Sequence, residues 1–411
     1  MANIIDKIEA TSLSDSDMFY GVVGGADRKV SAATLRGEIG TVAVSANIHL
    51  PDVMYTMVGN ELNLYFGNFI QTSVPGGIAA LEIDIRDQAS AYTTPVGEQF
   101  GDHWAWTPSS ASTEGLRIEV SQGGTLIASK DFSVEAVAAS AGAANSRKVL
   151  LIGDSTSAIA SGAGTACADL EMYGASEGPT ITTVGAKSGS ATDLDGTSRT
   201  VNNEADGGVQ TSGYWLNTGA GSPFWNGGAF DFANYLSTNG ITLSAGDWVI
   251  FHAGINDIFS GIGDTDIQNR VTKFVTAIDG MVAEMKADVS GLNYGLCLIM
   301  PQAGNPFAPR EQQDAFGSLY DASQSAQDYR DARWQLLSQQ LSEYNGREAD
   351  DIYIMPTHAA IDPVTGFSSG SQSVHAYTNA MVTRYSDPIH PSAVGHHMAG
   401  AAMFGVIKGQ E

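Results

Sequence analysis

Apolar residues follow two rhythms along the chain. Between residue 46 and about 137 they alternate with polar ones: Glu61–Phe66 reads ELNLYF and Ala80–Ile85 reads ALEIDI, and Leu116–Val120 and Thr125–Ala128 repeat the pattern. A period of two marks half-buried strands. Gly, Pro, Ser and Asp clusters bound these runs, and Gly123-Gly124 reads as a hairpin turn. Short strands at this spacing predict a β-sandwich of about 90 residues. From Ser146 onward the apolar residues bunch instead. Lys148–Gly153 (KVLLIG), Ile181–Val184, Trp248–Gly254 (WVIFHAG), Tyr294–Pro301 (YGLCLIMP) and Asp351–Pro356 (DIYIMP) read as strands buried on both faces. Between them Val271, Phe274, Val275, Ile278, Val282 and Met285 recur at three- and four-residue steps, as do Tyr329, Ala332, Leu336, Leu337, Leu341 and Tyr344. Both sets predict amphipathic helices, and an apolar helical pattern also runs from Ala393 to Ile407. Strands alternating with helices predict an α/β fold with a parallel sheet covered on both faces. Ligands of such sheets sit beyond the carboxyl ends of the strands.

Two segments fit neither rhythm. Residues 1–45 are punctuated by glycine, with Val30–Leu35 long enough for one helical turn. Val134–Asn145 is small and uncharged after Glu135 and reads as a linker. The expected division is an N-terminal segment at 1–45, a β-sandwich at 46–137, a linker at 138–146 and an α/β domain at 147–411.

Composition narrows the functions open to such a chain. Of 411 residues 43% are hydrophobic, enough for a sizeable core. Acidic residues number 45 and basic ones 20, a net charge of −25 that repels phosphate backbones, so no nucleic-acid partner is expected. Charged residues make up only 16%, which leaves a surface rich in Ser, Thr, Asn and Gly, as in many extracellular or virion proteins. Cys167 and Cys297 cannot build a disulfide framework, and Cys297 reads as a buried thiol. No run approaches the roughly 18 apolar residues of a membrane span, so no membrane partner is expected. The opening MANIIDKIEATSLSD lacks the basic-then-apolar order of a signal peptide.

Chemistry-bearing residues gather at the predicted strand ends. Gly153-Asp154-Ser155 follows the first buried strand, which exposes a hydroxyl beside a free backbone N–H. Gly254-Ile255-Asn256-Asp257 follows the third, where a neutral amide is a suitable second donor. Asp387-Pro388-Ile389-His390 precedes the last helix. A carboxylate three residues from an imidazole can fix its tautomer and leave the other nitrogen to a serine. His390, His396 and His397 lie too far apart along a helix to share a metal, and no metal is expected. His252 shares the face of Gly254 and reads as a core histidine. Asp154 reads as a turn carboxylate.

These three blocks, at Gly153-Asp154-Ser155, Gly254-Ile255-Asn256-Asp257 and Asp387-Pro388-Ile389-His390, resemble those of the SGNH, or GDSL-type, hydrolases over residues 147–411. The resemblance implies a flavodoxin-like sheet flanked by helices and an esterase that needs no cofactor. It implies Ser155 as nucleophile, His390 as base and Asp387 as its orienter. The oxyanion hole would comprise Ser155 N–H, the Asn256 side chain and a glycine N–H. The glycine block is read at VGAKSGSATDL, with Gly189 preferred and Gly185 its rival.

The long insertion Asp195–Gly240 is rich in aromatics, and its Pro223–Asn226 resembles the Pro-Phe-Trp-Asn loop of some bacterial and phage members acting on carbohydrate esters. Trp215, Phe224 and Trp225 are candidates to stack on sugar rings; the alternative is that they pack the loop onto the domain. The run LSDSDMFYGVVGGADRKVSAATLRGEI looks like the opening of phage tail fibres, which are commonly trimeric. The expectation is a serine O-acetylesterase acting on an acetylated polysaccharide, displayed on a virion or outside a cell. Its rivals are a non-catalytic glycan-binding protein on the same scaffold, and a lipase or thioesterase.

Overall fold

The computed structural model describes residues 18–23, 26–31, 44–216, 221–304, 326–373, 381–385, 387 and 389–411. The chain divides into two compact units, Met1–Ser45 and Ala46–Glu411. In the first, strands β1 (Met18–Val23) and β2 (Ala26–Ser31) form an antiparallel hairpin. Val30 and Ser31, where a helical turn was expected to begin, close β2 instead. The remainder of the tail-fibre-like run lies outside the described residues.

In the second unit, β3 (Val53–Met57), β4 (Glu82–Asp87), β5 (Ser112–Gln122) and β6 (Thr125–Val137) make a sheet in the order β3-β6-β5-β4. Here β3 runs parallel to β6 and the other pairs are antiparallel. Gly123 and Gly124 join β5 to β6 with φ of 55° and 75°, values a hairpin turn needs and glycine tolerates. Alternation buries Leu116, Ile118 and Val120, while Arg117 on the other face pairs with Asp131 at 2.6 Å. A shorter sheet of Leu62–Tyr65, His103–Trp106 and Glu98–Gln99 shares the same core through Leu64 and Trp104.

The larger sheet contains β7 (Ser146–Gly153), β8 (Thr180–Val184), β9 (Lys187–Thr192), β10 (Ser198–Ala205), β11 (Trp248–His252), β12 (Asn293–Cys297) and β13 (Ile352–Met355). Strand β7 is central. It pairs with β11 on one side and, on the other, with β8 along its first half and β10 at its end. Then come β12 and β13, all parallel, while β9 folds back antiparallel on β10. Helices α1 (Thr165–Glu177), α2 (Gly263–Asp288), α3 (Ala326–Tyr344) and α4 (Ala393–Gly409) supply much of the remaining core. The apolar periodicity anticipated α2, α3 and α4. Among the described residues, no helix is long and apolar enough to cross a membrane.

The change of rhythm near residues 138–146 marks a change of sheet within one compact unit. Strand β6 runs to Val137, and turns carry the chain to β7. Helix α4 reaches back to β3 so closely that a Cβ on Gly405 would stand 2.8 Å from Tyr55 O. The Asn68 side chain donates to Ile361 O at 2.7 Å, and His358 Nε2 bonds His49 O at 2.8 Å. Lys408 Nζ is caged by the carbonyls of Ala139, Ala141, Glu177 and Gly178.

Candidate active site

At the end of β7 the backbone comes so close to β11 that a Cβ on Gly153 would stand 2.6 Å from His252 O, a position only glycine fills. Asp154 then turns the chain: its Oδ1 accepts from Thr156 N at 3.0 Å and from Thr156 Oγ1 at 2.7 Å. Full burial pushes the Asp154 carboxyl above its usual range, against these hydrogen bonds. The turn presents Ser155 to the last block. Ser155 Oγ lies 2.8 Å from His390 Nε2, and His390 Nδ1 lies 2.7 Å from Asp387 Oδ2. The other carboxylate oxygen accepts from Ile389 N at 3.1 Å and His390 N at 3.0 Å, which fixes the carboxylate against its own turn.

Charge follows that geometry. The Asp387 hydrogen bond holds the His390 imidazole above its ordinary value despite partial burial. Burial pushes Asp387 up, but the bonds from His390 and Ile389 bring it below the usual carboxylate range. The side chains of His390 and Asp387 are 36% and 37% exposed, so solvent and a ligand reach them.

Strand β11 delivers the amide. Gly254 adopts φ 127°, which swings the chain into the short turn Ile255–Ile258. Asn256 Nδ2 is buried and has no hydrogen-bond partner among the described residues. Its neighbour Asp257 points the other way and accepts from Thr211 N at 2.9 Å and Thr211 Oγ1 at 3.0 Å, and burial pushes its carboxyl up to about 6. Asp257 thereby anchors the loop carrying Tyr214 and Trp215, a role the sequence reading missed.

The two glycine candidates pack against other parts of the domain. Gly189 sits in β9 opposite Val201, and a Cβ on it would meet Ile159. Gly185 is pressed against the Asn203 backbone. The glycine beside the serine is Gly207, just past β10, where Asp206 N donates to Gly153 O at 3.1 Å and a Cβ on Gly207 would stand 3.9 Å from Ser155 Cβ. The signal that could have found it is a glycine pair after a strand, but β10 reads SRTVNNEA and carries no apolar run.

The aromatic candidates divide. Trp215 is 1% exposed and Phe224 fully buried; their rings pack at 5.6 Å, and Phe224 meets Tyr235 at 4.3 Å. Neither has a face to offer a sugar, so they serve the loop's own core. Trp225 is half-buried, paired with Phe230. The cleft beside Asn256 holds about 360 Å³ and is walled by Gln210, Tyr214 and Phe259 among others. Tyr214 OH stands 3.1 Å from Asp206 Oδ2.

Of the other histidines named above, His252 and His396 are buried. His252 Nδ1 lies 2.6 Å from Ser157 Oγ, and burial lowers its imidazole to about 3. His397 Nδ1 lies 2.7 Å from Asp169 Oδ2.

No family model matches the chain, and no curated protein matches it. Solved structures do. A carbohydrate esterase of family 3 from Talaromyces cellulolyticus is 14% identical, over 62% of this chain and 94% of that one, with a TM-score of 0.36. A carbohydrate acetylesterase from Sinorhizobium meliloti is 17% identical, over 63% and 96%, with a TM-score of 0.31. An active-site mutant of a family 2 carbohydrate esterase from Clostridium thermocellum is 13% identical, over 88% and 96%, with a TM-score of 0.30.

Proposed function

We propose that this chain is a serine esterase of the SGNH kind, removing acetyl groups from a polysaccharide. The observation that carries the reading is the continuous line Asp387–His390–Ser155, with links of 2.7 and 2.8 Å. The Asn256 amide, which has no partner among the described residues, adds a candidate donor. In this reading His390 Nε2 takes the Ser155 proton as Oγ attacks the ester carbonyl. Asp387 holds Nδ1–H and offsets the charge gained by the imidazole. The developing oxyanion is met by Ser155 N–H, Gly207 N–H and Asn256 Nδ2. His390 returns the proton to the leaving sugar oxygen, then activates water to release acetate. The cleft at Tyr214 and Phe259 supplies an aromatic wall for the sugar, in place of Trp215 and Phe224.

The β-rich stretch at 46–137 belongs to this proposal as an accessory β-sandwich. Display on a phage tail, with trimeric assembly, rests on the N-terminal run alone. The test is hydrolysis of p-nitrophenyl acetate and octanoate by wild type and Ser155→Ala. Acetate turnover that vanishes in the variant, with weak octanoate turnover, is expected. Turnover that survives the substitution rejects the serine mechanism, and octanoate as the better substrate rejects the deacetylase.

A further inference from the structure

The described basic side chains mostly find carboxylates: Arg117 pairs with Asp131, Arg147 with Glu411, Arg199 with Asp193 and Arg270 with Asp266. Lys408 lacks one but is closed in by four carbonyls. Arg333, on α3, differs from both. It is 4% exposed in a chain of net charge −25, yet it has no carboxylate partner among the described residues. Nε donates to Met300 O at 3.1 Å and Nη2 to Asn68 O at 2.7 Å. A guanidinium has more N–H donors than two carbonyls use, and the rest have no acceptor among the described residues. Burial alone brings the group down to about 10.

The unspent donors lie on the wall of a pocket of about 130 Å³, between Asn68, the loop Gln302–Gly304 and Trp334. That loop continues from β12, at the edge of the sheet where the serine also sits. Gln302 Oε1 is buried there with no partner among the described residues. The Trp334 ring lies 4.6 Å from the guanidinium carbon and holds it flat. The pocket thus combines a planar cation, a free amide and an indole.

We infer that this pocket takes the carboxylate of an acidic sugar residue, so that the polysaccharide substrate contains a uronic acid. Arg333 grips the carboxylate through its spare N–H groups, and the Gln302 amide meets a ring hydroxyl. A chain this acidic repels polyanions at long range, so recognition of one needs a desolvated cation close at hand. The sugar rests on the carbohydrate-esterase reading; the preference for an anion rests on Arg333.

Calorimetric titration of D-glucuronate, D-glucose and inorganic phosphate into the full chain tests the inference without turnover. Wild type binds glucuronate, and glucose roughly tenfold more weakly or not at all. Arg333→Gln weakens glucuronate binding at least tenfold. Because that change also removes a brace between Met300 and Asn68, Gln302→Glu serves as the second variant: it sets a like charge in the pocket, leaves the brace, and weakens glucuronate by a similar factor. Glucuronate bound no better than glucose, or unchanged in a folded Gln302→Glu protein, overturns the inference. Phosphate bound as well as glucuronate also overturns it, in favour of a bare anion site. Acetate ester turnover that survives Ser155→Ala rejects the esterase reading instead, and the titrations stand apart from it.

Discussion

Removing the Asn256 amide separates catalysis from stability. Its Nδ2 is buried with no partner among the described residues, a state that costs about 1–3 kcal/mol for a polar group. Asn256→Ala deletes that orphan, and the backbone turn survives, because Gln210 Nε2 donates to Asn256 O and Asp257 anchors Thr211 independently of the amide. Against the recovered desolvation stands a small void, so the net change in stability is roughly 0 to +1 kcal/mol, a melting shift of about 0–2 °C upward. Turnover moves the other way. A lost oxyanion donor costs about 10²–10³ in kcat, or ~2.7–4 kcal/mol of transition-state stabilisation. The assay is steady-state hydrolysis of p-nitrophenyl acetate beside thermal melting of the same preparations. Asp257→Ala is the control: losing the acceptor for Thr211 N, Thr211 Oγ1 and Ser212 N lowers the melting temperature first. Turnover of Asn256→Ala within threefold of wild type, or a melting temperature several degrees lower, refutes the reasoning.

Other substitutions probe other parts of the site. His390 acts as a base only when neutral, and its pKa lies above 6.5 because of Asp387, so kcat/KM should climb with pH through a value above 6.5 and fall away below it. Asp387→Asn should shift that limb to lower pH while cutting kcat; an unmoved limb contradicts the assignment. The same raised pKa lends stability that is complete below 6.5 and fades as pH rises through the folded value. Trp215→Ala should cost about 3–5 kcal/mol in denaturant unfolding, with Trp225→Ala costing much less; equal effects would put Trp215 outside the core. Gly254→Ala forces a side chain into φ 127° and against Leu336 Cδ2 at 3.1 Å, for about 1–3 kcal/mol of strain and a misplaced Asn256. A variant as stable and active as wild type would show that the turn relaxes freely.

Much of this architecture was legible because burial leaves a rhythm. KVLLIG, WVIFHAG and DIYIMP can only be strands covered on both faces, and the ends of the first two locate Ser155 and Asn256 without any contact being known. Strands β9 and β10 left no such mark. In β10 Asn203 and Glu204 are buried: Asn203 Nδ2 donates to Ser157 O, Glu204 accepts from Tyr235 OH, and Asn203 Oδ1 has no partner among the described residues. A strand carrying polar groups inward looks like a loop in sequence, so Gly207 just past it drew no attention. Loop aromatics mislead for a related reason: without a period, nothing says which way Trp215 or Phe224 faces. Arg333 was silent for the same cause, since an unpaired cation and a salt-bridged one share a letter.

Helix α4 gives the protein a particular order of assembly. It closes over β3, one of the first strands of its unit, and His390 precedes it by a few residues while standing 235 residues beyond Ser155. Contacts of such span cost more loop-closure entropy than local ones and cannot form before the last residues of the span are present. A nascent or truncated chain that stops short of His390 therefore carries a serine with no base, and leaves β3 without the helix that covers it. On the proposed esterase reading, hydrolytic competence and completion of the fold arrive together, and the unfinished chain is inert.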